Sequence, residues 1–207
     1  MEAGSVMERL GAYDMYPSHQ LTEAELAREA SDVERIVGWP LPSAYRAFVI
    51  RFGQFGFDRH ICCPSGEGYP SGKLFPVSRW FGLRSGKPNT LRKEIATYRG
   101  RIPDHAIPVA GDQGGNLLVL ALAGDDLGYV YSWDHEFRAL GWKRLERWTN
   151  ELEGLGVDVS HMASPQIIRE WERRHPEKLK WKPGYGNLYP VARSWAELMA
   201  SFQEYPE

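Results

Sequence analysis

Asp134, His135 and Glu136 put two carboxylates and an imidazole side by side, and His60 and His105 can be supplied from elsewhere in the chain. Such a set invites a divalent metal. On an extended strand, however, Asp134 and Glu136 share one face while His135 points to the other. The spacing also matches no zinc-ligand pattern, so neither a metal nor any other cofactor is expected. His60 stands two residues before Cys62, and a thiol next to an imidazole can serve as nucleophile and base. Only closeness in sequence supports that pair, and buried structural cysteine is the simpler reading. Residues 66–73, GEGYPSGK, have the outline of a phosphate-binding loop. Five residues separate Gly66 from Gly72-Lys73 and three separate Gly68 from it, where the loop needs four. Leu74 also stands where a Ser or Thr would hold the metal of a bound nucleotide. No catalytic residue emerges, and a non-enzymatic protein is expected.

The clearest chemical feature is electrostatic. Between Ile102 and Phe137 there is no Lys or Arg, while Asp104, Asp112, Asp125, Asp126, Asp134 and Glu136 are present. That stretch carries −6 in a chain of net charge −2, which leaves +4 for the rest. One account is local, since turns use Asp to hydrogen-bond their own backbone. The other is that Asp112, Asp125, Asp126, Asp134 and Glu136 meet a basic protein partner. Asp112 falls at one end of an apolar run, residues 116–122, and Asp125 and Asp126 fall at the other. As a strand that run is about 20 Å long. A partner touching both ends needs an interface on the order of 800 Å² per side.

The elements that position these residues follow from local rules. Thr22 and Glu25 have the spacing of a capping box, which predicts a helix with Leu26, Ala30, Val33 and Val37 on one side and Gly38 at its end. Trp39-Pro40-Leu41-Pro42 is a rigid link. A second helix is predicted over residues 43–52, stopped by Gly53, and Phe55 to Phe57 begins a strand. Residues 74–83 are extended, with Pro76 placing them at a sheet edge. Asn89 caps a helix to Tyr98. Pro108 suits a strand start or edge. Residues 112–115 and 124–128 are reversals on either side of the apolar run, which has the composition of a strand buried on both faces. The short links imply antiparallel hairpins. Helices are predicted over residues 140–152 and 165–174, and a last one opens at Ser194 with Glu197 in the capping-box position.

Several of these segments resemble one family. Leu41-Pro42, Tyr45, Phe48 and Gly53 are similar to the helix that opens its core. Ile107-Pro108-Val109-Ala110, Asp112 and Gly114-Gly115-Asn116, followed by an apolar strand, resemble its central motif. Residues 128–136, ending in Trp133-Asp134-His135-Glu136, resemble the strand that follows, and Ser201-Phe202 its closing helix, with Tyr205 where Phe is usual. The family is the SUKH superfamily, named partly for a yeast regulator of cell-wall glucan synthesis. The resemblance covers residues 21–136 and 194–205. It implies an α+β fold in which helices flank a mainly antiparallel sheet. It also implies one domain over residues 1–207, with a helical insertion at 137–191. Bacterial members are largely immunity proteins that bind and silence a polymorphic toxin, often a nuclease; others are regulatory or adaptor proteins. The resemblance carries no catalytic residue with it.

Composition agrees with that expectation. The chain has 207 residues, 43% hydrophobic and 25% charged, enough to bury a core without covalent staples. Cys62 and Cys63 are the only cysteines. Neighbouring Cα atoms sit about 3.8 Å apart, short of the roughly 4.4–6.8 Å a relaxed disulfide spans, so a reducing, cytoplasmic setting is expected. The longest apolar run is far below the ~20 residues that span a bilayer, and no membrane partner is expected. Residues 137–183 interleave Trp142, Trp148, Trp171 and Trp181 with basic residues, as a single-strand binding surface would. Ten Lys and Arg stand against seven acidic residues there, which fits solvated amphipathic helices better than direct nucleic-acid binding.

Overall fold

A computed structural model describes residues 3–14, 21–67, 69, 72–84, 90–135, 142–178 and 186–206. Helix α1 (Ala3–Arg9) and strand β1 (Ala12–Asp14) come first. Thr22 then starts α2 (Glu23–Val37). Its hydroxyl accepts from the Glu25 N–H, and the Glu25 carboxylate accepts from the Thr22 N–H at 2.8 Å. Two otherwise orphaned donors are satisfied reciprocally. Gly38 ends the helix at φ 80°, where a side chain would be strained, with its N–H donating to Glu34. Helix α3 (Ser43–Phe52) buries Tyr45, Phe48 and Val49, as its spacing predicts, and ends at Gly53.

Among the described residues the strands form three antiparallel sheets. Strand β2 (Phe55–Phe57) pairs with β1. Strands β3 (Ile61–Pro64) and β4 (Leu74–Val77) join the C-terminal β10 (Gln203–Glu204) in the order β10-β3-β4. Pro76 is therefore on an edge strand, where its missing N–H interrupts no ladder. The main sheet has the order β5-β6-β7-β8-β9, from β5 (Arg79–Trp80), β6 (Ala106–Gly111), β7 (Leu117–Ala121), β8 (Val130–Trp133) and β9 (Leu188–Ala192). Central β7 is buried at every residue. Burying each of Leu117, Leu118, Val119 and Leu120 is worth roughly 2 kcal/mol. No single turn contact matches their sum, so the core sets the register and the turns follow it.

Two expectations need correction. Helix α4 (Leu91–Tyr98) is capped by Thr90, whose hydroxyl accepts from the Lys93 N–H; Asn89 lies outside the described residues. Pro108 is neither at a strand start nor on an edge strand. It sits third in β6, beyond the reach of β5, whose partners are Ala110 and Gly111, and the β6–β7 register shifts between Pro108 and Ala110. The structure is helices with antiparallel sheets, the α+β class expected.

Region 137–191 is not helical throughout. It holds α5 (Trp142–Gly154) and α6 (Ser164–Arg174) but ends in β9, which pairs with β8. Helices α5 and α6 enclose an apolar cluster of their own: Trp148, Leu152, Val159, Ile167 and Trp171. The Trp148 and Trp171 rings stack with centroids 4.1 Å apart, and the Trp171 indole N–H donates to Glu151 at 2.7 Å. Arg169 of α6 reaches the main body by donating to the Gly100 carbonyl. Between β9 and β10 lies α7 (Trp195–Ser201), whose first turn is held by the Ser194 hydroxyl accepting from the Glu197 N–H. Trp195 meets Tyr45 and Phe48 of α3 edge-on.

Candidate partner-binding surface

Two turns close the ends of β7, and between them they hold half of the acidic run, Asp112, Asp125 and Asp126. At the β6–β7 turn, the Asp112 carboxylate accepts from the Asn116 N–H at 2.8 Å and from the Asn116 side-chain amide at 2.7 Å. Asn116 Oδ1 in turn accepts from the His135 N–H at 3.1 Å and lies 2.8 Å from His135 Nδ1. A carbonyl oxygen can only accept, so Nδ1 carries the hydrogen. Asp112, Asn116 and His135 thus clamp the adjoining ends of β6, β7 and β8 together. Arg79 donates to the Asp112 backbone carbonyl at 2.9 Å, leaving the carboxylate to Asn116. Asp112 is only 6% exposed.

At the other end, the Tyr129 N–H donates to the Asp126 carbonyl and the Gly128 N–H to Ala121. The Asp126 carboxylate accepts from the Tyr131 hydroxyl at 2.9 Å and is 6% exposed. Burial, and then the Asp126 carboxylate, pushes the Tyr131 phenol up. Asp125 next to it is exposed, and Leu127 is 56% exposed. Asp134, after β8, is 3% exposed. Its N–H donates to the Asn187 carbonyl, and the Asn187 amide donates back to the Asp134 carbonyl. Burial, followed by the charge of Asp134, pushes the Tyr189 phenol up. Glu136 lies outside the described residues.

The acidic face expected from the charge count is therefore largely drawn inward. Asp112, Asp126 and Asp134 are buried, with Asp112 and Asp126 bonded to neighbouring side chains. Among the described residues of the run, Asp104 and Asp125 face solvent. They lie at the same end of the sheet, because the Leu122 N–H donates to the His105 carbonyl at 2.7 Å.

That end also carries a groove that the sequence did not reveal. It lies between the C-terminal end of α2, helix α4 and the turn leading into β6, with a volume of about 320 Å³. Val37, Trp39, Tyr98, Ile102 and Asp104 are among its walls. Trp39 is 36% exposed and meets the His105 ring edge-on, with centroids 6.5 Å apart. An exposed Trp beside a proline was the available signal, but it reads equally well as part of a rigid link.

The other chemistries stay apart. Among the described residues, no three His, Cys, Asp or Glu side chains gather as a metal site. His135 is turned to Asn116 and His105 to Trp39. Cys62 and Cys63 are buried free thiols, both pushed up by burial. Cys62 Sγ donates to the Glu204 carbonyl at 3.8 Å, while His60 is exposed. No helix among the described residues is long and apolar enough to cross a membrane.

Residues 20–151 match the profile of the SMI1 / KNR4 family (SUKH-1). The chain belongs to that family. The SUKH match runs from the start of α2 into α5, taking in β2 to β8, both turns and the groove. SUKH proteins include toxin-immunity proteins, and members are generally non-enzymatic immunity or regulatory proteins. A relative, the SPbeta prophage-derived uncharacterized protein YokK of Bacillus subtilis (strain 168), is 29% identical over 136 residues. That alignment covers 58% of this chain and 65% of the relative, so less than two thirds of YokK is spanned. No solved structure matches.

Proposed function

We propose that this SUKH protein is an immunity protein that binds a cognate polymorphic toxin and neutralises it by covering its active surface. Membership of a family that includes toxin-immunity proteins carries the reading. The mechanism is steric and electrostatic and needs no catalytic residue. A nuclease toxin is positive where it grips phosphate, and a cation-free acidic stretch is steered to such a surface. Asp125 is the carboxylate placed to touch the partner, with Asp104 beside the same turn. Asp112, Asp126 and Asp134 act from behind, holding the turns in shape while adding to the negative field, and Glu136 extends the same acidic run. The protein works in the cytoplasm, where its thiols stay reduced.

Co-expression tests this. The protein encoded by the adjacent open reading frame is produced with and without this chain, and cell survival and co-purification are followed. Protection together with a stable complex supports immunity. A complex without toxicity favours a regulatory or adaptor role, and no complex refutes the immunity reading.

A further inference from the structure

We infer that Leu127, at the tip of the β7–β8 turn, anchors the contact, and that the partner protein receives it in an apolar socket with a hydrogen-bond donor or cation at the rim for Asp125. The inference rests on the immunity reading and adds which side chain is buried on binding and what surface receives it.

The turn is fastened from inside. The Ala121 N–H donates to the Tyr129 carbonyl and the Gly128 N–H to the Ala121 carbonyl, each at 2.9 Å, which closes the hairpin. Within it the Leu127 N–H donates to the Gly124 carbonyl and the Tyr129 N–H to the Asp126 carbonyl. Gly124 at φ 88° and Gly128 at φ 86° supply left-handed conformations that the reversal needs. Of the three residues between these glycines, the middle one, Asp126, is buried, with its carboxylate accepting from the Tyr131 hydroxyl. Asp125 and Leu127 on either side of it are exposed.

Leu127 adds nothing to the fold that holds it. It is the most exposed large apolar side chain among the described residues, and there it packs against neither apolar cluster. Turns favour residues that supply special backbone angles or local hydrogen bonds, and a leucine side chain supplies neither. Held on a fastened tip, it loses little freedom when a partner buries it. The space beside Gly128 is open, so the tip projects and the partner must provide the concavity. Asp125 has no hydrogen bond or ion pair of its own. Burying Leu127 carries that carboxylate to the rim of the socket, where leaving it unmatched would be costly.

The test titrates the purified product of the adjacent open reading frame against the full chain and its variants by calorimetry, with melting curves confirming that each variant is folded. Leu127→Ala is expected to melt as the unmodified chain does and to bind about 10-fold more weakly. Leu127→Met, nearly equal in volume, should bind within about 3-fold of the unmodified chain. Leu155→Ala, at a comparably exposed leucine just past α5, should leave binding unchanged. Asp125→Ala should weaken binding about 5-fold, and by less at high salt. If the unmodified chain binds and Leu127→Ala binds within about 3-fold of it, the inference is overturned while the immunity reading stands. An equal loss in Leu155→Ala, a Leu127→Met variant no better than Leu127→Ala, or unchanged affinity in Asp125→Ala also overturns it. If the unmodified chain does not bind, the immunity reading fails first and takes this inference with it.

Discussion

Replacing Asp112 with Ala isolates what its carboxylate does. The substitution leaves the Asn116 N–H and one side-chain N–H of Asn116 without their acceptor in a site where residue 116 is 7% exposed. A hydrogen bond to a charged group is worth about 1.5–3 kcal/mol. The two share one carboxylate and one partner, so they do not add fully, and a loss of about 3 kcal/mol is expected. For a protein of this size that lowers the melting temperature by about 6–12 °C. Asp112→Asn keeps one acceptor but sets its own amide N–H against that of Asn116, and should cost about half as much. Urea unfolding followed by tryptophan fluorescence and circular dichroism measures both, and Asn116→Ala completes a double-mutant cycle. Because Asp112 is buried, its folded variants should still bind the partner with near-normal affinity. A loss below about 0.5 kcal/mol, or additivity with Asn116→Ala, would refute the clamp. Normal stability with lost binding would instead return Asp112 to the contact surface.

Three further outcomes are expected. Cys62 and Cys63 should resist a chromogenic disulfide reagent at pH 8 in the native protein and react after denaturation, because burial raises both thiols and hides them; rapid native labelling would contradict this. The Glu170 carboxyl is held down to about 2 by hydrogen bonds from Arg173 and Arg174. Its stabilising contribution is thus complete above the ordinary value of 4.5 and lost as pH falls through about 2; an NMR titration midpoint at the ordinary value would refute it. Trp171→Ala removes half of the indole stack at a local cost of roughly 3–5 kcal/mol. Hydrogen exchange should then accelerate across α5 and α6 and stay slow in β6 to β8, whereas uniform acceleration would mean that the two cores unfold together.

What could be read in the sequence was what local chemistry decides. Thr22 with Glu25, and Gly38 after Val37, specify the ends of α2 through hydrogen bonds that span only a few residues. An unbroken apolar run such as residues 117–122 has few places to go except a covered strand. The sign and density of charge around Asp112 and Asp126 were equally visible, but their burial was not. A carboxylate in a turn reads the same whether it faces water or an Asn four residues on, as Asp112 does, or a Tyr five residues on, as Asp126 does. Strand β9 was hidden because its partner β8 is more than fifty residues earlier and Pro190 interrupts its pattern. The groove at Trp39 was hidden for a related reason. Its walls come from α2, α4 and the approach to β6, and nothing in any one of these announces the others.

Helices α5 and α6 keep a private interior stacked on two indoles. That cluster is separate from the main core, so substitutions on the outward side of the pair are remote from the β6–β8 register. The Arg169 hydrogen bond to the Gly100 carbonyl ties the pair to the rim of the groove.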